Sequence, residues 1–266
     1  MTTSFVHIDW QGRSVRIEHQ WLNAHLREAP LMVFLHEGLG SLAMWRDYPQ
    51  LLCDALGVRG LVYSRPGYGQ STPRDADEHW APDFMHRQAH EVLPALLQAL
   101  NVQEAPWLFG HSDGGSIALL YATRHATAGV IVLAPHIKVE DISVKSIAIA
   151  KETYENTDLR QRLNRYHADV DSAFWGWNRI WLAPEFRNWS IEHELSSITC
   201  PVLAIQGIHD EYGTLAQIRD IQRHVPHTQL LELENCGHSP HRDQAPTLTQ
   251  ACVTFFNAHL SLTPQT

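Results

Sequence analysis

With 266 residues and a formal charge of −9, the chain is too long for a disulfide-stapled miniprotein. It is also too acidic, and too free of Lys/Arg clusters, to track a nucleic-acid backbone or an anionic membrane surface. An apolar share of 44% supplies a full-sized core and excludes both intrinsic disorder and a collagen-like repeat.

The first ten residues, Met1 to Trp10, lack the basic stretch and apolar run of a secretory leader. No apolar run approaches the ~20 residues that span a bilayer. Four cysteines (Cys53, Cys200, Cys236 and Cys252) stand outside any C-x-x-C pair, which points to free thiols in a reducing compartment. A cytoplasmic protein is expected. Eighteen histidines invite a metal reading, but neither H-E-x-x-H nor a tight His/Asp cluster occurs, so no metal and no cofactor is expected.

The chain opens with two alternating segments, Phe5–Trp10 and Val15–His19, around Gln11, Gly12 and Arg13, which predict an antiparallel hairpin. Short continuous apolar runs follow at 31–35, 61–63, 107–109, 130–133, 202–205 and 230–233. Runs without alternation suit strands covered on both faces, as in a parallel sheet. Helical periodicity lies between them, at 84–100 (interrupted by Pro94), 116–122, 214–225 and 247–260. Strands alternating with helices predict an α/β fold with a doubly wound, mostly parallel sheet.

Between Leu133 and Val202 the rhythm fails. Helix-like but irregular stretches at 143–156, 159–166, 174–181 and 186–189 carry four of the nine tryptophans. So long a structureless loop would be foreign to a compact domain. The segment therefore predicts a helical cap insertion over residues 137–196, with residues 1–136 and 197–266 forming the core. No feature specifies an oligomeric state.

Gly110-His111-Ser112-Asp113-Gly114 carries the sharpest chemical signal, a G-x-S-x-G between an apolar strand and an apolar helix. Glycines two positions either side of Ser112 let the chain turn sharply and leave the serine exposed. The helix start offers free N–H groups to a developing negative charge. A serine hydroxyl needs a neighbouring base. His238, beside Gly237 in the turn before Pro240, is the first candidate; His241 competes, and His36 and His111 are weaker. Asp210, just after the run 202–205, is placed to orient the imidazole, with Glu211 or a helix-capping role as the other readings. The turn His36-Glu37-Gly38-Leu39-Gly40 can aim the N–H of Gly38 at an oxyanion, with the N–H of Asp113 as second donor.

The order Ser112…Asp210…His238, that turn, and Arg65-Pro-Gly-Tyr-Gly-Gln-Ser71 together resemble the α/β-hydrolase superfamily from Leu31 to about Leu260. The resemblance implies Ser112 as nucleophile, His238 as base, Asp210 as its orienter, and Gly38 with Asp113 as oxyanion donors. Two positions depart from the family pattern, Glu37 at the second place of the usual H-G turn and Asp113 where an apolar residue commonly follows the nucleophile. A carboxylate aimed at the oxyanion would oppose catalysis, so both side chains must turn away or find a cation, with Arg65 a candidate. Trp45, with Met44, and the cap residues Trp175, Trp177 and Trp181 either pack the cap on the core or wall an apolar acyl pocket.

The expected function is hydrolysis of a small carboxylic ester, thioester or lactone through an acyl-enzyme on Ser112. The same constellation also serves carbon–carbon bond hydrolases, acyltransferases and lyases, and the fold can act as a ligand receptor. A small-molecule substrate is the partner the sequence implies.

Overall fold

Two residues with positive φ, Gln11 at 56° and Gly12 at 70°, turn the chain between β1 (Ser4–Trp10) and β2 (Arg13–Leu22). Positive φ at both central positions matches the twist of a two-residue hairpin, so Arg13 is already paired opposite Trp10. The computed structural model describes residues 3–75 and 77–260. Six further strands follow: β3 (Leu31–Leu35), β4 (Arg59–Tyr63), β5 (Trp107–His111), β6 (Gly129–Leu133), β7 (Val202–Gly207) and β8 (Gln229–Leu233). They form one sheet in the order β1-β2-β4-β3-β5-β6-β7-β8, antiparallel through β2/β4 and parallel from there on.

The apolar runs have no polar alternation because both faces are covered. Successive residues nevertheless divide between two cores. Leu31, Val33, Leu108, Val130 and Val132 pack with Ile117 and Leu120 of α4 (Asp113–Arg124) and with Leu93 and Leu96. Met32, Phe34, Phe109 and Ile131 pack on the opposite face with Leu52 of α1 (Tyr48–Leu56) and Phe255 of α10 (Ala245–Leu260). Each such side chain contributes about 1.5–3 kcal/mol when fully buried.

Helix α1 is not anticipated by the sequence reading, being nine residues long and showing an outward apolar residue, Leu51, beside its buried face. The expected helix at 84–100 is instead α2 (Phe84–Arg87), a π-helical turn at Gln88–Val92 and α3 (Leu93–Ala99). Pro94 has no N–H to return to the preceding turn, and the widened turn stands directly before it.

Beyond β6 the chain builds α5 (Asp141–Asn156), α6 (Leu159–Asn164) and α7 (Val170–Leu182). Asp169 caps α7 by accepting the Ser172 N–H at 2.9 Å. The 186–189 stretch is not an α-helix: it begins in the 3-10 turn Pro184–Phe186 and leaves it at once. The ends of this excursion are stapled together. The Val139 N–H donates to Trp189 O at 3.1 Å, and the Ile191 N–H donates to Ile137 O at 2.8 Å, around the bridge Lys138/Ser190. Helices α8 (Ala216–His224) and α9 (Pro240–Asp243) complete the chain order. Among the described residues no helix is long and apolar enough to cross a membrane.

Candidate active site

The elbow is built from backbone. Ser112 stands between β5 and α4 with φ 53° and ψ −121°, a region costly for a residue with a Cβ, by about 1–3 kcal/mol. The fold holds it there: its N–H donates to Leu133 O at 2.9 Å, and its carbonyl accepts from Gly115 and Ser116 at 2.8 and 3.0 Å. A Cβ on Gly110 would strike the Gly114 backbone, and one on Gly114 would strike the carbonyls of Leu35 and His36. The crossing of β3, β5 and α4 thus leaves room only for glycine at both places.

His238 lies on the loop after β8. Its Nδ1–H donates to both oxygens of Asp210, at 2.8 and 3.0 Å, from a carboxylate on the loop after β7. Asp210 is itself fixed by the Tyr212 N–H at 2.8 Å and by Gln206 Nε2 at 3.1 Å. Burial alone would raise the pKa of Asp210, but the charge and hydrogen bond of His238 outweigh it and hold the carboxyl below its ordinary range. For His238, burial disfavours the cation; Asp210, then Glu211 and Glu37, more than compensate and raise its pKa. Since Nδ1 carries the proton toward Asp210, Nε2 is the basic nitrogen. Ser112 and His238 line the same cavity, with no direct hydrogen bond between their side chains.

The other readings of these positions resolve by contact. Glu211 accepts the backbone N–H of His238 at 3.3 Å rather than its ring. Asp210 caps no helix, because α8 begins only at Ala216. His241 is buried beneath the site against Trp45 and His111, with its pKa driven by burial down to about 3. His36 takes the Arg65 N–H at 3.0 Å and donates to the Glu37 carbonyl at 2.8 Å, which fixes the turn after β3.

Gly38 and Asp113 both line the cavity, and neither backbone N–H is taken by another group among the described residues. A Cβ on Gly38 would overlap the indole of Trp177, so helix α7 rests directly on this turn. The two carboxylates that depart from the family pattern also line the cavity, each engaged elsewhere. Glu37 Oε2 faces His111 Nδ1 at 3.5 Å, not Arg65, and His111 Nε2–H donates to His238 O at 2.7 Å. Burial pushes Glu37 up, but His111, His241 and His36 together pull it well below the usual carboxylate range. Asp113 Oδ1 accepts the indole N–H of Trp181 at 3.2 Å, and Oδ2 lies 4.0 Å from the fully buried Arg65. Burial dominates there and lifts Asp113 to about 6.

Trp177 and Trp181 wall the cavity, about 110 Å³ in volume, together with Ile147 of α5. Two of the tryptophans expected there are elsewhere. Trp45 is directed into the second core against Phe34 and Phe109, because the short 3-10 turn Leu42–Trp45 points it under the sheet. Trp175 lies on the outer flank of α7 beneath the Arg179 guanidinium, two positions around the helix from Trp177. Met44 does not reach the cavity either. Sequence reasoning missed His136 and Tyr212, whose rings stand 5.9 and 4.8 Å from that of His238. Their only signal is position, just beyond β6 and β7 at the carboxyl edge where the other loops converge. A larger groove of about 570 Å³, between Gln20, Arg46 and Leu51, holds none of these groups.

Comparison with known proteins places this geometry in context. Residues 32–250 match the family model described as "Alpha/beta hydrolase family". The AB hydrolase superfamily protein YisY of Bacillus subtilis is 22% identical over 259 residues, covering 85% of this chain and 91% of that protein. Among solved structures, a carboxylesterase from the thaumarchaeon Nitrososphaera gargenis superposes with a TM-score of 0.76 at 18% identity, over 97% of this chain and all (100%) of the other. A thermophilic esterase from Thermogutta terrifontis superposes with a TM-score of 0.74 at 17% identity, again over 97% and 100%. At such identities the two structures establish a shared fold.

Proposed function

Because this chain belongs to the alpha/beta hydrolase family, we propose that it is a serine hydrolase that cleaves a small carboxylic ester, thioester or lactone through an acyl-enzyme on Ser112. The observation that carries the reading is the Asp210–His238 pair, at 2.8 and 3.0 Å, opening onto the cavity that holds a strained Ser112.

The steps follow from the groups present. Ser112 Oγ attacks the substrate carbonyl as His238 Nε2 takes its proton. The oxyanion is received by the N–H groups of Gly38 and Asp113, each such donor being worth roughly 3 kcal/mol in the barrier. His238 then protonates the leaving alcohol or thiol, and later draws a proton from water as it attacks the acyl-enzyme. Asp210 stabilises the imidazolium throughout. On this reading the stapled segment 137–196 is a cap whose Trp177 and Trp181 limit the acyl group, and a cavity of about 110 Å³ favours short chains.

A panel of p-nitrophenyl esters from acetyl to decanoyl, with simple lactones, tests the proposal. Turnover that is highest at two to four carbons and lost in Ser112→Ala supports it. Turnover that survives in Ser112→Ala, or no turnover of any panel member, contradicts it.

A further inference from the structure

His136 has no part in the steps above, yet it is 3% exposed, lines the cavity and has no hydrogen-bond partner for its ring Nδ1. Nor does its Nε2 find one among the described residues. The side chain is not loosely placed. Its backbone N–H donates to Ser116 Oγ at 3.1 Å and its carbonyl accepts from the same hydroxyl at 2.5 Å, tying the loop after β6 to the first turn of α4. The next residue is also anchored, the Ile137 N–H donating to Gln217 Oε1 at 2.7 Å. The ring stands edge-on to Trp181 at 4.9 Å and 5.9 Å from the His238 ring.

A neutral imidazole offers one donor and one acceptor. Buried polar groups are nearly always satisfied, so an imidazole that lines a cavity with neither nitrogen paired calls for a partner, which a molecule held in the cavity can supply through Nε2, Nδ1 being occluded. We propose that His136 is a specificity residue that hydrogen-bonds a hydroxyl group carried by the substrate close to its scissile carbonyl, so that the preferred substrates are small, uncharged hydroxy esters or hydroxy lactones.

Two observations select this chemistry. A hydroxyl both donates and accepts, so it can engage either imidazole tautomer. A carboxylate substrate is disfavoured because Glu37 lines the same cavity and, among the described residues, no Lys or Arg does. Burial holds His136 neutral, with its pKa down to about 3, so it supplies no cation to an anionic group. This inference rests on the serine hydrolase reading, and its test separates the two.

Binding is read in the Ser112→Ala protein by quenching of tryptophan fluorescence, with ethyl lactate against ethyl propionate and ethyl 3-hydroxybutyrate against ethyl butyrate. The same pairs are then compared by kcat/KM in the enzyme with Ser112 intact. In at least one pair the hydroxylated ester should be favoured by roughly 10-fold or more, in affinity and in kcat/KM. His136→Phe should bring that ratio close to one, and His136→Gln, which keeps a donor and an acceptor, should restore part of it. Equal treatment of both members of both pairs, or a preference that persists in His136→Phe, overturns the proposal. A fluorescence preference without turnover of any ester retains the subsite and overturns the hydrolase reading instead.

Discussion

Acid–base behaviour at the site is set residue by residue, and two titrations expose it. His238 must be neutral to accept the Ser112 proton, and Asp210 lifts its pKa above 6.5 despite burial. On the proposed mechanism activity should be low in acid, and kcat/KM should rise through a single group titrating above 6.5. Asp210→Asn removes the largest raising influence, so the inflection should move down while kcat falls about 10³–10⁴-fold. An unmoved inflection in a pH–rate profile would rule out the pairing as its origin.

Asp113 runs the opposite way, a fully buried acid raised from 3.8 to about 6 by desolvation. The folded state binds its proton more tightly than the unfolded chain does. Its contribution is thus fully present below pH 4 and is lost as pH rises through 6. Asn in its place still accepts the Trp181 indole and cannot ionise. Between pH 4 and pH 8 the stability difference between Asp113→Asn and the wild type should shift in the variant's favour by up to about 3 kcal/mol. Urea denaturation at the two pH values measures it, and a pH-independent difference would contradict the assignment.

At the scale of elements, the strand–elbow–helix unit is where sequence and structure agree most closely, because its constraints are local. Gly110, Ser112 and Gly114 sit within five residues, and the contacts that exclude a Cβ at Gly114 are backbone carbonyls that cannot step aside. Gly114→Ala should therefore destabilise by about 3 kcal/mol or more, read as a lowered Tm, with Ser112 displaced enough to cut activity. A variant with unchanged Tm would show that the crossing is looser than described. The segment between β6 and β7 is legible only in outline. Its tryptophans mark a packed helical segment, but which of them face the cavity depends on the rotation of α7, which puts Trp177 and Trp181 inward and Trp175 outward. Trp45 misleads for a similar reason. Nearness to Gly38 in sequence says nothing about the face of the sheet, and the 3-10 turn sends the side chain below it.

Over the whole molecule, the site is a meeting of loops from β3, β5, β6, β7 and β8 at the carboxyl edge of the parallel strands, under a helix, α7, that touches three of them. The inner strands β3 to β7 were readable from their apolar runs because they are buried on both faces, and the β1/β2 hairpin from its alternation. The convergence itself was readable only for residues whose chemistry already had a role to fill, Ser112, Asp210 and His238. His136 and Tyr212 stand 24 and 100 positions from Ser112, and Glu37 stands 74 positions from His111, so no local pattern announces these contacts. Glu37 reaching His111 rather than Arg65 likewise depends on how β3 and β5 lie side by side.

Reaction with a fluorophosphonate, followed by intact-protein and peptide mass spectrometry, tests the central claim most directly. A nucleophile activated by His238 should be labelled rapidly and once per chain, at Ser112 alone, with labelling abolished in Ser112→Ala and slowed by at least about 10³-fold in His238→Ala. Labelling at another residue, or a rate in His238→Ala equal to that of the wild type, would contradict it.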